Sequence, residues 1–175
     1  SDAGNGIGYT NIRIRGTDAS RINVTLNGIP LNDAESQQLY WVDLPDLATS
    51  LDNIQVTRGV GTSTNGSGAF GASIDLQTAK MNATPFGEVT LGGGSFNTFK
   101  RNFKAGTGLI KNHYAFEARL SKITSDGYVD RATSDLSSIF ITGGYYSNKT
   151  SLRMNVISGN EKTYQAWNGV PESRI

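Results

Sequence analysis

The residues with the spacing to do chemistry sit in one glycine-rich run. Gly66-Ser67-Gly68-Ala69-Phe70-Gly71 has the glycine pattern of a dinucleotide site, where small residues let the backbone approach a pyrophosphate at a helix N-terminus. That chemistry needs a helix directly afterwards, and the alternation of Ala72, Ile74 and Leu76 predicts a strand instead. Gly61 to Gly66 has the spacing of a phosphate loop, but Ser67 stands where a lysine must reach the phosphates. Nucleophilic and acid–base chemistry fare no better. The single histidine, His113, falls mid-strand on a polar face, and Asp126 and Asp130 straddle a turn as solvated carboxylates. There is no cysteine, no G-x-S-x-G elbow and no H-E-x-x-H pair, so no enzyme, metal centre or cofactor is expected.

The elements around that run must explain it in another way. The 175 residues carry 16 Lys+Arg against 15 Asp+Glu, so no charge surplus points to nucleic acid. The absence of cysteine suits a bacterial envelope protein. No apolar run approaches the ~18 residues of a membrane helix, and barrel strands, which alternate, would show no such run either. The chain begins Ser-Asp-Ala-Gly without a leader and reads as a mature protein or an excised piece.

Ile12 and Ile14 alternate with Arg13 and Arg15 as a strand would, and Ile22 to Leu31 reads as a strand, an Asn27-Gly28 turn and a short arm. Asp43 to Leu51 is the helix candidate, with Pro45 in the first turn and Leu44, Leu47, Ala48 and Leu51 on one face. The character changes near residue 80. From Phe86 onward come alternating segments, Phe86–Gly93, Asn97–Thr107, His113–Ile123, Ser138–Tyr146 and Ser151–Ser158, of the length and pattern of membrane barrel strands. Tight connections at Gly108–Asn112 and Ser147–Lys149 alternate with longer ones at Thr124–Leu136 and from Gly159 on. Phe96, Phe99, Phe103, Tyr114, Tyr145 and Tyr146 suit interfacial girdles or, in a soluble sheet, a core.

Two blocks resemble the plug domain of TonB-dependent outer-membrane receptors. In the first, Ile12-Arg13-Ile14-Arg15-Gly16 is followed by Val24 to Leu31, with Asn27 where the family usually has aspartate. In the second, Ile54, Val56, Arg58, Gly59, Ser63, Gly66, Ala69, Gly71, Ile74 and Thr78 fall on the family pattern, with Asn65 and Ala72 as mild departures. The resemblance implies a mainly β chain: a small α+β plug portion at 1–80, then the first strands, at 81–175, of a plugged 22-stranded outer-membrane barrel. It further implies energised uptake of a scarce nutrient, whether siderophore, vitamin or glycan. The TonB energy-transducing complex would act through a segment this chain lacks.

By the same resemblance Arg15 and Arg58 lock the plug to glutamates of the barrel wall, with Glu88 and Glu117 as candidate partners, unless they are solvated strand-end arginines. Outward plug loops would hold the ligand through Thr17, Asp18, Ser20, Arg21, Gln37, Gln38, Tyr40 and Trp41, joined by Tyr164 and Trp167 from a barrel loop. Tyr40 and Trp41 equally suit packing of their loop. The competing reading is a β-rich ligand-binding or adhesive surface protein that transports nothing.

Overall fold

The computed structural model describes residues 6–59, 70–78 and 80–165. Contacts divide the chain into two units, one of Asn11–Trp41 and Leu47–Lys80, the other of Ser1–Thr10, Val42–Asp46 and Met81–Ile175.

The first unit is built on a sheet in the order β2-β1-β4-β3, with β1 at Ile22–Leu26, β2 at Ile29–Pro30, β3 at Leu51–Arg58 and β4 at Ala72–Thr78. Asn27 and Gly28 both take positive φ (52° and 82°), the backbone a two-residue hairpin turn demands. β1 then runs parallel to β4, Ile22 opposite Ala72 through Leu26 opposite Leu76. Ile22, Val24, Leu26, Leu47, Ala72, Ile74 and Leu76 are buried as its core. Several polar groups on this sheet pair with one another across strands. Thr25 Oγ1 donates to Asp75 Oδ1 (2.7 Å), and the Asn27 amide both donates to Thr78 Oγ1 and accepts from Thr78 N (3.0 Å each). Asparagine at this turn therefore clamps β4 with a donor that aspartate lacks at neutral pH.

The second unit is an antiparallel meander of β5 (Phe86–Gly94), β6 (Thr98–Gly106), β7 (Tyr114–Ser125), β8 (Ser134–Tyr146) and β9 (Ser151–Thr163), each paired with its neighbours in sequence. Register aligns the apolar side chains into rows on one face. Val89, Phe103, Leu120 and Ile139 form one row, Ala105, Ala118, Ile141 and Val156 the next, and Phe116, Gly143 and Met154 a third. The large members of these rows are about half exposed, whereas the opposite face buries Asn102, Glu117, Arg119, Ser121, Ser138 and Thr142. A sheet with its apolar face outward and its polar face covered is the pattern of a barrel wall, the inverse of a sheet in a water-soluble core. At 12–13 residues, β7, β8 and β9 exceed the ~9–11 needed to cross a bilayer.

Two expectations change. The helix at Asp43–Leu51 is absent; the segment forms two 3-10 turns, Trp41–Asp43 and Leu47–Ser50, separated by Asp46 at φ 55°. A left-handed residue cannot continue a right-handed helix, and contacts of the Asp46 carboxylate outweigh a weak local propensity. The alternation of short and long connections holds only in part. At the end bearing the long 126–133 loop, β5 and β6 are joined by the tight Ser95–Asn97 turn, and the residues from Gly159 to Thr163 are strand rather than loop. Asn97 Nδ2 donates to Asp126 Oδ2 (2.6 Å) and the Phe96 ring meets Tyr128 edge-on, so the short turn and the long loop hold each other.

Candidate functional site

The first unit gathers the predicted plug residues at one end of its sheet. Ile14 to Thr17 closes a turn with Arg15 and Gly16 at φ 52° and 78°, and Thr17 N and Oγ1 both donate to the Ile14 carbonyl (N···O 3.0 Å). Thr17 also covers Gly71: a Cβ there would lie 2.8 Å from Thr17 Oγ1. Gly71 N donates to Arg21 O, and Gly59 N, following Arg58 at the end of β3, donates to Gly71 O (2.9 Å each). Arg15, Thr17, Arg21 and Arg58 thus converge where β1 and β4 begin. Arg15 and Arg58 are exposed and make no ion pair with any described residue. Asp18 and Arg21 are exposed beside half-buried Ser20.

The second predicted loop reaches the same end. Asn32 acts as a strand residue beside β1: its Oδ1 accepts from Val24 N (2.7 Å), and its Nδ2 donates to the carbonyls of Ile22 (2.8 Å) and Gln37 (2.9 Å). Asp33 Oδ1 accepts from the N–H groups of Ser36 (2.7 Å) and Glu35 (3.1 Å) and from the Ser36 hydroxyl, which holds its carboxyl below the usual carboxylate range. The amides expected to meet ligand are partly engaged within the loop. Gln37 Nε2 donates to Ala34 O (2.7 Å) and Gln38 Nε2 to the Tyr40 hydroxyl (3.1 Å). Each keeps its side-chain carbonyl as an acceptor, with Tyr40 exposed and Trp41 half-buried beside them. Tyr164 is exposed in the second unit, where its N–H donates to Thr133 O (2.9 Å). Trp167 and the glycine run at 60–69 lie outside the described residues.

A second polar centre escaped sequence reasoning. Segment 42–46 belongs with the five-stranded sheet, although the chain on both sides belongs to the other unit. Within that sheet's unit Asp46 accepts from Lys100 Nζ (2.6 Å), Arg119 Nη1 (3.1 Å) and the Ser121 hydroxyl, while Arg119 Nη2 donates to Ser138 Oγ (3.1 Å). Arg119 is 1% exposed, so this carboxylate is what makes its charge tolerable. Gly159 makes room for the segment: a Cβ there would overlap the Pro45 ring and lie 3.1 Å from the Asp43 carbonyl. The alternation of Glu117, Arg119 and Ser121 was readable, but their partner was hidden in an expected helix. Glu117, considered as a partner for the plug arginines, instead accepts from Asn82 N (3.0 Å) and lies 3.8 Å from Lys104 Nζ, while Glu88 accepts from Thr90 Oγ1 (3.2 Å). Among the described residues no group of acidic, histidine or cysteine side chains could hold a metal ion. The apolar notch of about 320 Å³ between Tyr114, Phe116, Gly143 and Met154 lies on the outward sheet face.

The family model of the TonB-dependent Receptor Plug Domain matches residues 1–73. The chain is 28% identical over 122 residues to the vitamin B12 transporter BtuB of Photobacterium profundum, covering 70% of this chain and 20% of that protein. It therefore spans about a fifth of that relative's length. Among solved structures, the pyoverdine outer membrane receptor FpvA of Pseudomonas aeruginosa PAO1 matches 90% of this chain and 24% of its own at TM-score 0.68 and 19% identity. The copper transporter OprC matches 90% and 26% at 0.71 and 18%. The siderophore receptor PiuA of Acinetobacter baumannii matches 92% and 22% at 0.69 and 17%. Residues 1–73 thus match the plug domain of TonB-dependent receptors, and the chain shares the fold of outer-membrane receptor segments in which a plug portion is followed by barrel strands.

Proposed function

We propose that the receptor to which this chain belongs takes up a scarce nutrient across the outer membrane, driven by the TonB energy-transducing complex acting through a segment outside this chain. The observation that carries this is the pairing of plug residues with a sheet whose apolar face is outward and whose polar face is buried, as a transport barrel needs and a catalytic domain does not. The ligand sits on the 17–21 and 33–41 loops, with Thr17, Asp18, Ser20, Arg21, Gln38, Tyr40 and Trp41 offering mixed hydrogen bonds and aromatic surface; Tyr164 and Trp167 are the further ligand residues, from the barrel portion. Gln37 supplies its remaining carbonyl. Arg15 and Arg58, exposed and without a described ion partner, lock the plug against acidic residues of strands beyond this chain. Siderophore, vitamin and glycan ligands all fit such a surface, and no enzymatic step is assigned.

The test is uptake by cells lacking the native gene and carrying the intact receptor, offered ferric siderophores, cyanocobalamin and maltooligosaccharides in turn. One class should enter, entry should stop when the proton gradient is collapsed, and Tyr40→Ala with Trp41→Ala should weaken ligand binding. Entry of no class, or entry indifferent to the gradient, overturns the proposal.

A further inference from the structure

Charge on the outward face of the five-stranded sheet is confined to one end. Next to the apolar row of Val89, Phe103, Leu120 and Ile139, register places Leu91, Arg101, Lys122, Ser137 and Asn160 side by side. The row beyond it holds Phe99, Thr124, Asp135 and Lys162. Arg101 and Lys122 are therefore direct cross-strand neighbours, an arrangement of like charges that destabilises a sheet by itself. The compensation within the chain is incomplete. Asp135 pairs with Lys122 and stands opposite Lys162, so one carboxylate serves two of the three cations in these rows. Arg101 lies over the Phe99 ring, 5.2 Å from its centroid, and neither it nor Lys162 forms an ion pair with a described residue. The 126–133 loop at this end adds Asp126, whose carboxylate accepts from the Asn97 amide, and the exposed Asp130 and Arg131.

At the other end of the same face there is no such cluster. The outward rows finish in Tyr114 and Tyr145, ring centroids 5.2 Å apart, and no charged side chain interrupts the outward rows from Leu120 and Ile139 to there. The outward rows of one end finish in aromatic side chains, and those of the other hold three cations and one carboxylate directly bordering apolar rows.

We propose that Arg101 and Lys122, with Lys162 two strands further along the same rim, form a basic site for the phosphate of an anionic membrane lipid in the leaflet at the Ser95–Asn97 end, its acyl chains lying over Phe99, Phe103 and Leu120. The occupant follows from the surface itself. A phosphate between Arg101 and Lys122 relieves their repulsion through charge-assisted hydrogen bonds, which guanidinium and ammonium groups both supply. The neighbouring half-exposed apolar side chains exclude a fully hydrated anion as the whole ligand and continue the membrane-facing surface of an outer-membrane barrel. This goes beyond nutrient uptake, which uses other residues.

The test places the intact receptor in nanodiscs of phosphatidylcholine with a minor share of phosphatidic acid and counts retained phosphatidic acid by native mass spectrometry. Arg101→Gln combined with Lys162→Gln should lower the preference for phosphatidic acid by about fivefold for each cation removed, the usual contribution of one such side chain at an anionic surface. Arg101→Lys should preserve it, and Asp135→Asn should raise it. Lys111→Gln and Lys149→Gln, in turns at the opposite end, should leave it unchanged. Heat-modifiable gel mobility reports barrel folding, and if the double variant fails to fold, Lys162→Gln alone serves. Equal retention by the folded variants, an equal loss in the Lys111 and Lys149 controls, or displacement of the lipid by inorganic phosphate would each overturn the proposal.

Discussion

The two sheets bury opposite chemistry. In the four-stranded sheet Ile22, Val24, Leu26, Ile74 and Leu76 are interior and β1 is covered on every residue, whereas in the five-stranded sheet Leu120, Ile139, Phe103 and Met154 are half exposed and Arg119 and Thr142 are nearly sealed. Both kinds of strand contain the same apolar residue types. What differs is the solvent each face is built for, water around the first and hydrocarbon around one face of the second, so polar groups in the second must pair among themselves. Asp46 with Arg119, Lys100 and Ser121 is where that pairing is most concentrated.

The sharpest way to break the contrast is therefore at that centre. Asp46→Ala should destabilise the intact protein by about 3–5 kcal/mol in denaturant unfolding, because it strands a buried guanidinium. Arg119→Met combined with Asp46→Leu should recover most of the loss; a variant as stable as the parent after Asp46→Ala alone would show that the charge finds water. Leu76→Ala, in the four-stranded core, should cost about 2–5 kcal/mol by the same measurement. Leu120→Arg distinguishes the two solvents. It should cost about 2–4 kcal/mol on a lipid face near mid-membrane, but no more than about 0.5 kcal/mol if that face met water. Gly28→Ala forces a Cβ into the left-handed turn and should cost about 1–2 kcal/mol.

The smallest effect concerns pH. The folded pKa of Asp33 lies below its ordinary value, so the order it confers on the 33–38 turn is present above about pH 4 and is lost as pH falls through the folded value. The protection factor of the Ser36 amide, its exchange rate relative to the intrinsic rate at each pH, should fall on acidification and lose that dependence in Asp33→Asn.

How much was legible follows from the range of each interaction. Alternation has a period of two residues, so the barrel strands and their outward faces could be read directly, as could the Asn27-Gly28 turn. Their ends could not. β8 begins at Ser134 rather than Ser138 and β9 runs to Thr163 rather than Ser158, because the polar rim residues there carry no hydrophobic signal. The ligand loops were located by resemblance, but the internal bonds of Gln37 and Gln38 depend on a backbone path that composition does not specify.

The sequence by itself determined the strand pattern, the tight turns and the plug motifs, since each is written in neighbouring residues. Only the tertiary structure decided that Asp46 leaves an expected helix to meet Arg119, 73 positions away, and that Arg101 stands opposite Lys122. Both follow from register and from the high free energy of an uncompensated charge, which no local pattern records.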